Sequence, residues 1–488
     1  MRQYKLLFIS LVLLALSCKQ EAKVQEKDYS EAIQFMENKL LGGVIIEGEE
    51  PERFTLQERM DEFKVPGISI AFFEEGEIKW AKAYGHADKE ASRSVNVNTL
   101  FQAASISKPV AASAALTLVE EGKLDLDANV NSYLDGWQIE DNKFTENEKA
   151  SLRRLVSHNA GLTVHGFRGY AKGEDVPTTV QILNGEKPAN SPKIYPDTLP
   201  GAIYRYSGGG YTVMQKLMED QTGQKFADVL KERVLDKTGM KNSTYQQPLP
   251  QELHAVAAHG YRSNGDKVEG AWHTYPEQAA AGLWTTPSDL AHFAISVQNA
   301  FKGSTTEFIS PETAKEMLTA QARNHGLGPG LTIHGDTLWF GHGGANEGFR
   351  CQLFANVNPF NDQGVAIMTN SDQGSAVAFE MLLALSEYYG WDIAKPRRRK
   401  VISLEKEALQ KFIGHYMYEE DYQMDIYMGE NGHLQMQQIW DDQTIELRPM
   451  EELKFFESTT GIYLDFSLSE EGEVVKVESN GFTAKKTE

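Results

Sequence analysis

The chain has 488 residues, 41% of them hydrophobic and 10% aromatic, which is globular composition and more material than one ordinary core uses, so two domains are expected. A formal net charge of −21 excludes nucleic acid and an anionic membrane surface as main partners, since both would repel the folded chain. With 41 glycines and 17 prolines, many turns between short elements are expected.

Residues 1–17 read as an export signal: Arg2 and Lys5 supply a positive start, and the apolar core from Leu6 to Leu16 is too short to span a bilayer. Ala15-Leu16-Ser17 ahead of Cys18 resembles a bacterial lipoprotein cleavage box, so Cys18 is the expected lipidation site. The product would be an exported lipoprotein facing the periplasm or the cell surface, touching the membrane only through its anchor. Residues 18–28 are charged and polar, as a tether should be. Once Cys18 is acylated only Cys351 remains, which excludes an intramolecular disulfide.

Residues 29–395 read as the main domain. Helical spacing of apolar residues covers 29–41 and 54–63, and then the period changes to that of a hairpin, with strands at 67–73 and 77–82 around Glu75-Gly76. Helices and loops fill 105–300, with short helices at 152–158 and 211–221. Strands return at 328–334, 338–340, 349–356 and 364–369, and a helix at 376–389 closes the domain. An early hairpin and late strands make an α+β fold, an antiparallel sheet with a large helical insertion and a cleft between the two. The charged run 395–400 marks a break, so 396–402 is the expected linker. Beyond it, 403–412 reads as a helix and the rest of 403–488 as a small antiparallel all-β domain.

Ser105-Ile106-Ser107-Lys108 opens the apolar run 109–119. On a helix, a residue and its third successor share a face about 5–6 Å apart at Cβ, so the Ser105 hydroxyl and Lys108 amine can meet. Burial would discharge the amine and make Ser105 an activated nucleophile. The competing reading is that Ser105 and Ser107 serve as N-caps and Lys108 is solvated; a second Ser-x-x-Lys, Ser403 to Lys406, reads as an ordinary cap. Tyr206, before Ser207-Gly208-Gly209-Gly210, can place its phenol in the cleft, where an adjacent ammonium would lower its pKa toward that of a base. His342, in Phe340-Gly341-His342-Gly343-Gly344-Ala345-Asn346, can hold a carboxylate or relay a proton, and these glycines let a substrate approach the strand. The histidines have no metal-ligand spacing, so no metal or other cofactor is expected.

In this order, Ser105-x-x-Lys108, Tyr206 about a hundred residues on, and the His342 strand after another 136 resemble the serine β-lactamase and penicillin-binding-protein superfamily, in its class C β-lactamase-like branch. Supporting stretches are 65–69, Leu155-Val156-Ser157-His158-Asn159-Ala160-Gly161-Leu162, and 280–290; the likeness covers roughly 50–390. The resemblance implies a β-lactamase/transpeptidase-like sheet flanked by helices. It also implies acylation of Ser105, general-base work shared by Lys108 and Tyr206, leaving-group protonation by Tyr206, and an oxyanion hole from the N–H groups of Ser105 and Ala345.

Two departures matter. The family's Tyr-x-Asn stands here as Tyr206-Ser207-Gly208, without the side-chain amide, and its Lys-Thr-Gly as His342-Gly343-Gly344, without the permanent cation. The expectation is a serine hydrolase acting through an acyl-enzyme on small-molecule or peptide esters and amides, weak toward β-lactams. The alternatives are a true β-lactamase and a non-catalytic cell-envelope binding protein that keeps the fold.

Overall fold

The apolar runs early and late in the chain become one seven-stranded sheet. A computed structural model describes residues 28–304, 307–358, 361–419, 422–439, 443–480 and 482–487; the expected export signal, Cys18 and most of the expected tether lie outside the described residues. The strands are β1 (Gly67–Glu74), β2 (Glu77–Asp88), β3 (Arg93–Ser94), β4 (Gly330–His334), β5 (Thr337–Asn346), β6 (Phe349–Val357) and β7 (Gln363–Thr369). Their spatial order is β3-β2-β1-β7-β6-β5-β4, antiparallel throughout. The earliest strand therefore pairs with the last one, with Ile70 opposite Ile367.

Every residue of β1 is buried because both faces of the sheet are covered. Its side chains alternate between two cores, as strand geometry requires. Ile68, Ile70 and Phe72 pack with Val377 and Met381, while Ala71 and Phe73 join Val110 and Phe293. Four helices frame these layers: α1 (Ser107–Glu120), α2 (Gly208–Thr222), α3 (Pro287–Phe301) and α4 (Gly374–Tyr389). In α1, Val110, Ala111, Ala112, Ala114, Ala115 and Leu118 are all buried, so the helix is apolar on every side and runs through the centre of the domain.

Several boundaries differ from the expectations for tertiary reasons. The first helix stops at Asn38 because Leu40–Leu41 pairs with Arg53–Phe54. The strand expected over 338–340 continues to Asn346, through glycines that carry no strand signal of their own. The helix expected over 403–412 shrinks to Lys406–Leu409 and a 3-10 turn, Gln410–Phe412, and Ser403 caps nothing.

The polar run expected to be a linker holds a strand, Arg397–Arg399, paired in parallel with Val44–Ile46. Its guanidinium groups reach the C-terminal region: Arg397 donates to the Thr460 carbonyl at 2.9 Å and Arg399 to that of Gly461 at 2.7 Å. The charge run is thus a fastener. Beyond it, β8 (Gly414–Glu419), β9 (Tyr422–Met428), β10 (Leu434–Gln438), β11 (Gln443–Pro449), β12 (Lys454–Glu457), β13 (Tyr463–Leu468), β14 (Val474–Ser479) and β15 (Phe482–Lys486) form a closed barrel. Tyr416 opposite Lys486 joins its ends, leaving no free edge. Phe412, Phe455 and Phe466 fill the interior with ring centroids 4.7 to 5.4 Å apart.

Candidate active site

Ser105 lies in a 3-10 turn, Ala104–Ile106, that runs straight into α1. The turn begins at Ala104 with φ +48°, a conformation non-glycine residues hold only where the surroundings over-determine it. Neither serine caps the helix. Ile106 precedes α1 in helical conformation without a side-chain cap bond, and the Ser107 hydroxyl accepts the Leu283 N–H at 3.0 Å. The cap reading therefore fails, and the Ser105 hydroxyl is available for chemistry.

Lys108, one turn on, is buried. Its Nζ lies 2.9 Å from Ser105 Oγ and 2.8 Å from the carbonyl of Ala280. Burial pushes the ammonium pKa down to about 7, so a large fraction of the amine is neutral at physiological pH.

Tyr206 completes a cluster with these two. Its ring centroid is 5.0 Å from Lys108 Nζ and its hydroxyl is 3.4 Å from His342 Nε2. The phenol was expected to be acidified by an adjacent ammonium. Instead burial raises its pKa well above the ordinary value, and a hydrogen bond with Ser105 opposes the rise without overcoming it. The physical reason is that burial strips water from the phenolate, while Lys108, with a pKa near 7, is already neutral in the range where a phenol titrates.

His342 sits in the middle of β5, with Nδ1 2.5 Å from the Gly343 carbonyl. A carbonyl accepts, so Nδ1 carries the proton and Nε2 presents its lone pair to the Tyr206 hydroxyl. Burial and the Lys108 charge push this imidazole down to about 3, leaving it neutral at pH 7.

Gly344 brings β5 against the turn that carries Ser105. A Cβ at this position would lie 2.3 Å from the Ala103 carbonyl and 2.4 Å from Cys351 Sγ. Gly344→Ala is therefore expected to lower unfolding stability by about 1–3 kcal/mol, read from the denaturant midpoint, and to reduce Ser105 reactivity in parallel. Asn346, at the strand end, ties the same elements together by donating to Gln102 Oε1 at 2.8 Å and to the Ala281 carbonyl at 3.1 Å. Gly343 and Ala345 are exposed on this strand. Gly208 is walled in: its N–H donates to the His165 carbonyl at 2.9 Å, and a Cβ would lie 3.0 Å from the Phe167 ring.

The site also contains residues the motifs did not single out. His158 stacks on Tyr206 with centroids 4.1 Å apart, His165 lies 4.9 Å from the same ring, and His325 is 4.8 Å from His158. Burial keeps all three below the ordinary imidazole value, His325 at about 4. His158 stood in the stretch from Leu155 to Leu162 that supported the family resemblance, whereas His165 and His325 have no local signal. Among the described residues, no three His, Cys, Asp or Glu side chains are grouped so as to hold a metal ion.

Residues 54–387 match the family model described as Beta-lactamase. The D-aminopeptidase of Brucella anthropi is 26% identical over 338 residues, 66% of this chain and 59% of that protein. Penicillin-binding protein 4 of Amycolatopsis lactamdurans is also 26% identical, over 66% of this chain and 86% of its own length. The match thus spans about three fifths of the D-aminopeptidase. Among solved structures, the octameric penicillin-binding protein homologue from Pyrococcus abyssi superposes with a TM-score of 0.60 at 23% identity, over 88% of this chain and 98% of the other. The D-amino acid amidase from Ochrobactrum anthropi gives 0.55 at 20% identity, over 74% and 100%. At such identities the structural likeness concerns the fold.

Proposed function

The chain belongs to the Beta-lactamase family, and on that premise we propose that it is a serine hydrolase cleaving amides, peptides or esters through an acyl-enzyme on Ser105. The observation that carries this reading is the Lys108 amine, held near a pKa of 7 and 2.9 Å from the Ser105 hydroxyl. Neutral Lys108 takes the Ser105 proton as Oγ bonds to the substrate acyl carbon. The carbonyl oxygen becomes an oxyanion that rests on the N–H groups of Ser105 and Ala345, donors of the kind that contribute a few kcal/mol. Tyr206 gives its phenol proton to the leaving nitrogen or oxygen as that bond breaks, and recovers a proton from the Lys108 ammonium. Water then attacks the ester carbon, Lys108 takes its proton, and Ser105 Oγ leaves with a proton returned to it.

Division of labour follows from the two pKa directions. At pH 7 an amine with a pKa near 7 is in large part neutral and free to take a proton, whereas a phenol raised above its usual 10 stays protonated and has a proton to give. Lys108 is the base and Tyr206 the acid, in place of the shared base expected from the resemblance. The D-aminopeptidase relative supports a small amide or peptide of a D-residue as substrate. We further place the protein outside the cytoplasm as a lipoprotein anchored through Cys18, a reading supported by residues 1–18 alone.

Fluorophosphonate labelling followed by intact mass tests the reading. One adduct on the wild type and none on Ser105→Ala is expected; no adduct on the wild type would leave a binding protein.

Substrate preference follows from His342 and Gly208. The neutral imidazole grips a carboxylate less than a cation would, and Gly208, enclosed by Phe167, offers no side-chain amide to an acylamido group. The missing charge-assisted bond to a carboxylate removes about 1.5–3 kcal/mol and the missing amide hydrogen bond about 0.5–1.5 kcal/mol, whereas nitrophenyl esters need neither contact. Nitrophenyl acetate or butyrate is expected to exceed nitrocefin in kcat/KM by at least about tenfold. Efficient nitrocefin turnover with negligible ester cleavage would make the protein a β-lactamase proper.

A further inference from the structure

One residue holds Tyr206 from both sides along the backbone. The Arg205 N–H donates to the His158 carbonyl at 2.7 Å, and the Ser207 N–H donates to His158 Nδ1 at 3.0 Å. Between these two bonds the His158 ring lies on the Tyr206 ring, with centroids 4.1 Å apart and planes inclined by 29°. His158 follows the short helix Leu152–Val156 and stands at φ +60°. A positive φ is uncommon for a residue other than glycine, and here the carbonyl and the ring of His158 are both engaged on the Tyr206 segment. Accepting at Nδ1 fixes the neutral tautomer with the proton on Nε2, and the edge of His325 packs beside the ring at 4.8 Å.

We infer that His158 is a positioning residue, which sets the Tyr206 phenol between Ser105 and His342 through two backbone bonds and a ring stack. The inference rests on the reading of Tyr206 as the proton donor of the acyl transfer. A displaced phenol leaves binding intact and slows the step in which its proton moves, so the effect belongs in kcat.

Two substitutions in the full chain separate the contacts. His158→Asn keeps an acceptor near the place of Nδ1 and is at ease at positive φ, but has no ring to stack. His158→Leu keeps apolar volume and has no acceptor. With a nitrophenyl ester, His158→Leu is expected to lower kcat about 30- to 100-fold with KM changed by less than about threefold, and His158→Asn to recover to within about tenfold of wild type. In a Tyr206→Phe background, His158→Leu should change kcat by less than about threefold, because no phenol remains to be positioned. Equal losses in both backgrounds would mean a merely structural residue and overturn the inference.

Crystal structures of the variants decide the point without substrate. The Tyr206 hydroxyl should leave His342 Nε2 in His158→Leu and stay beside it in His158→Asn; an unmoved phenol in His158→Leu would also overturn it. If His158→Leu does not fold, His158→Gln, which places no acceptor at the Nδ1 position, is read by the same criteria. A phenol that moves as expected in a protein whose Ser105 never labels would instead sink the hydrolase reading and leave the positioning role standing.

Discussion

Ser105→Ala is expected to lower turnover of any accepted ester or amide by at least about 10⁴-fold and to abolish covalent labelling, since losing a nucleophile removes the acyl-enzyme route altogether. The fold should survive the change. The turn Ala104–Ile106 does not use the Ser105 hydroxyl as a cap, and Lys108 keeps its bond to the Ala280 carbonyl at 2.8 Å. A stability loss of about 1 kcal/mol or less is therefore expected, as for removal of one ordinary hydrogen bond. Labelling of Ser105→Ala at the wild-type rate would move the nucleophile elsewhere.

The second large effect concerns Lys108 and Tyr206. Lys108→Ala should cost about 10³-fold or more in kcat/KM and Tyr206→Phe about 10²-fold or more, and the double variant should be little worse than Lys108→Ala. The proton taken by one group is the proton that restores the other, so removing either interrupts the same circuit. Losses that multiply in the double variant would mean independent roles.

The pH profile gives a separate check. With the Lys108 pKa near 7, kcat/KM of the wild type should fall with unit slope below about pH 7, where the amine becomes charged, and that limb should vanish in Lys108→Ala. Stability moves with it. Between the folded value of about 7 and the ordinary 10.5, the unfolded chain binds a proton at this lysine that the folded chain lacks. Unfolding stability therefore gains from Lys108 as pH rises across that window, and Lys108→Met should flatten the gain. A profile flat from pH 5 to 9 in the wild type would show a permanently neutral or permanently charged amine.

Much of this molecule is legible along the chain. The three-residue step from Ser105 to Lys108 puts both side chains on one side of a helical turn, here the 3-10 turn that runs into α1. Alternation and turn residues mark the hairpin of β1 and β2 and the C-terminal strands, because their periodicity is a property of the backbone. The glycine-interrupted β5 was the exception: Gly341, Gly343 and Gly344 erase the strand pattern, and the need for Gly344 appears only when the Ala103 carbonyl and Cys351 are brought beside it.

The electrostatics of the site were decided by tertiary structure alone. Lys108 is held near a pKa of 7 by burial in a place completed by Ala280, 172 residues away, and burial of the Tyr206 phenol raises its pKa where an adjacent ammonium was expected to lower it. His158 and His165 meet at the Tyr206 ring, and His325 arrives from more than 150 residues away to pack on His158. The run Arg397–Arg399 reads as solvated charge until Val44–Ile46 offers a strand and the Thr460 and Gly461 carbonyls offer acceptors. Sequence by itself determined which residue types recur at which local spacing, and therefore the pairing of Ser105 with Lys108 and the element classes. Only the folded chain decided which groups lose water, because desolvation depends on neighbours that arrive from distant segments and leave no mark on local periodicity.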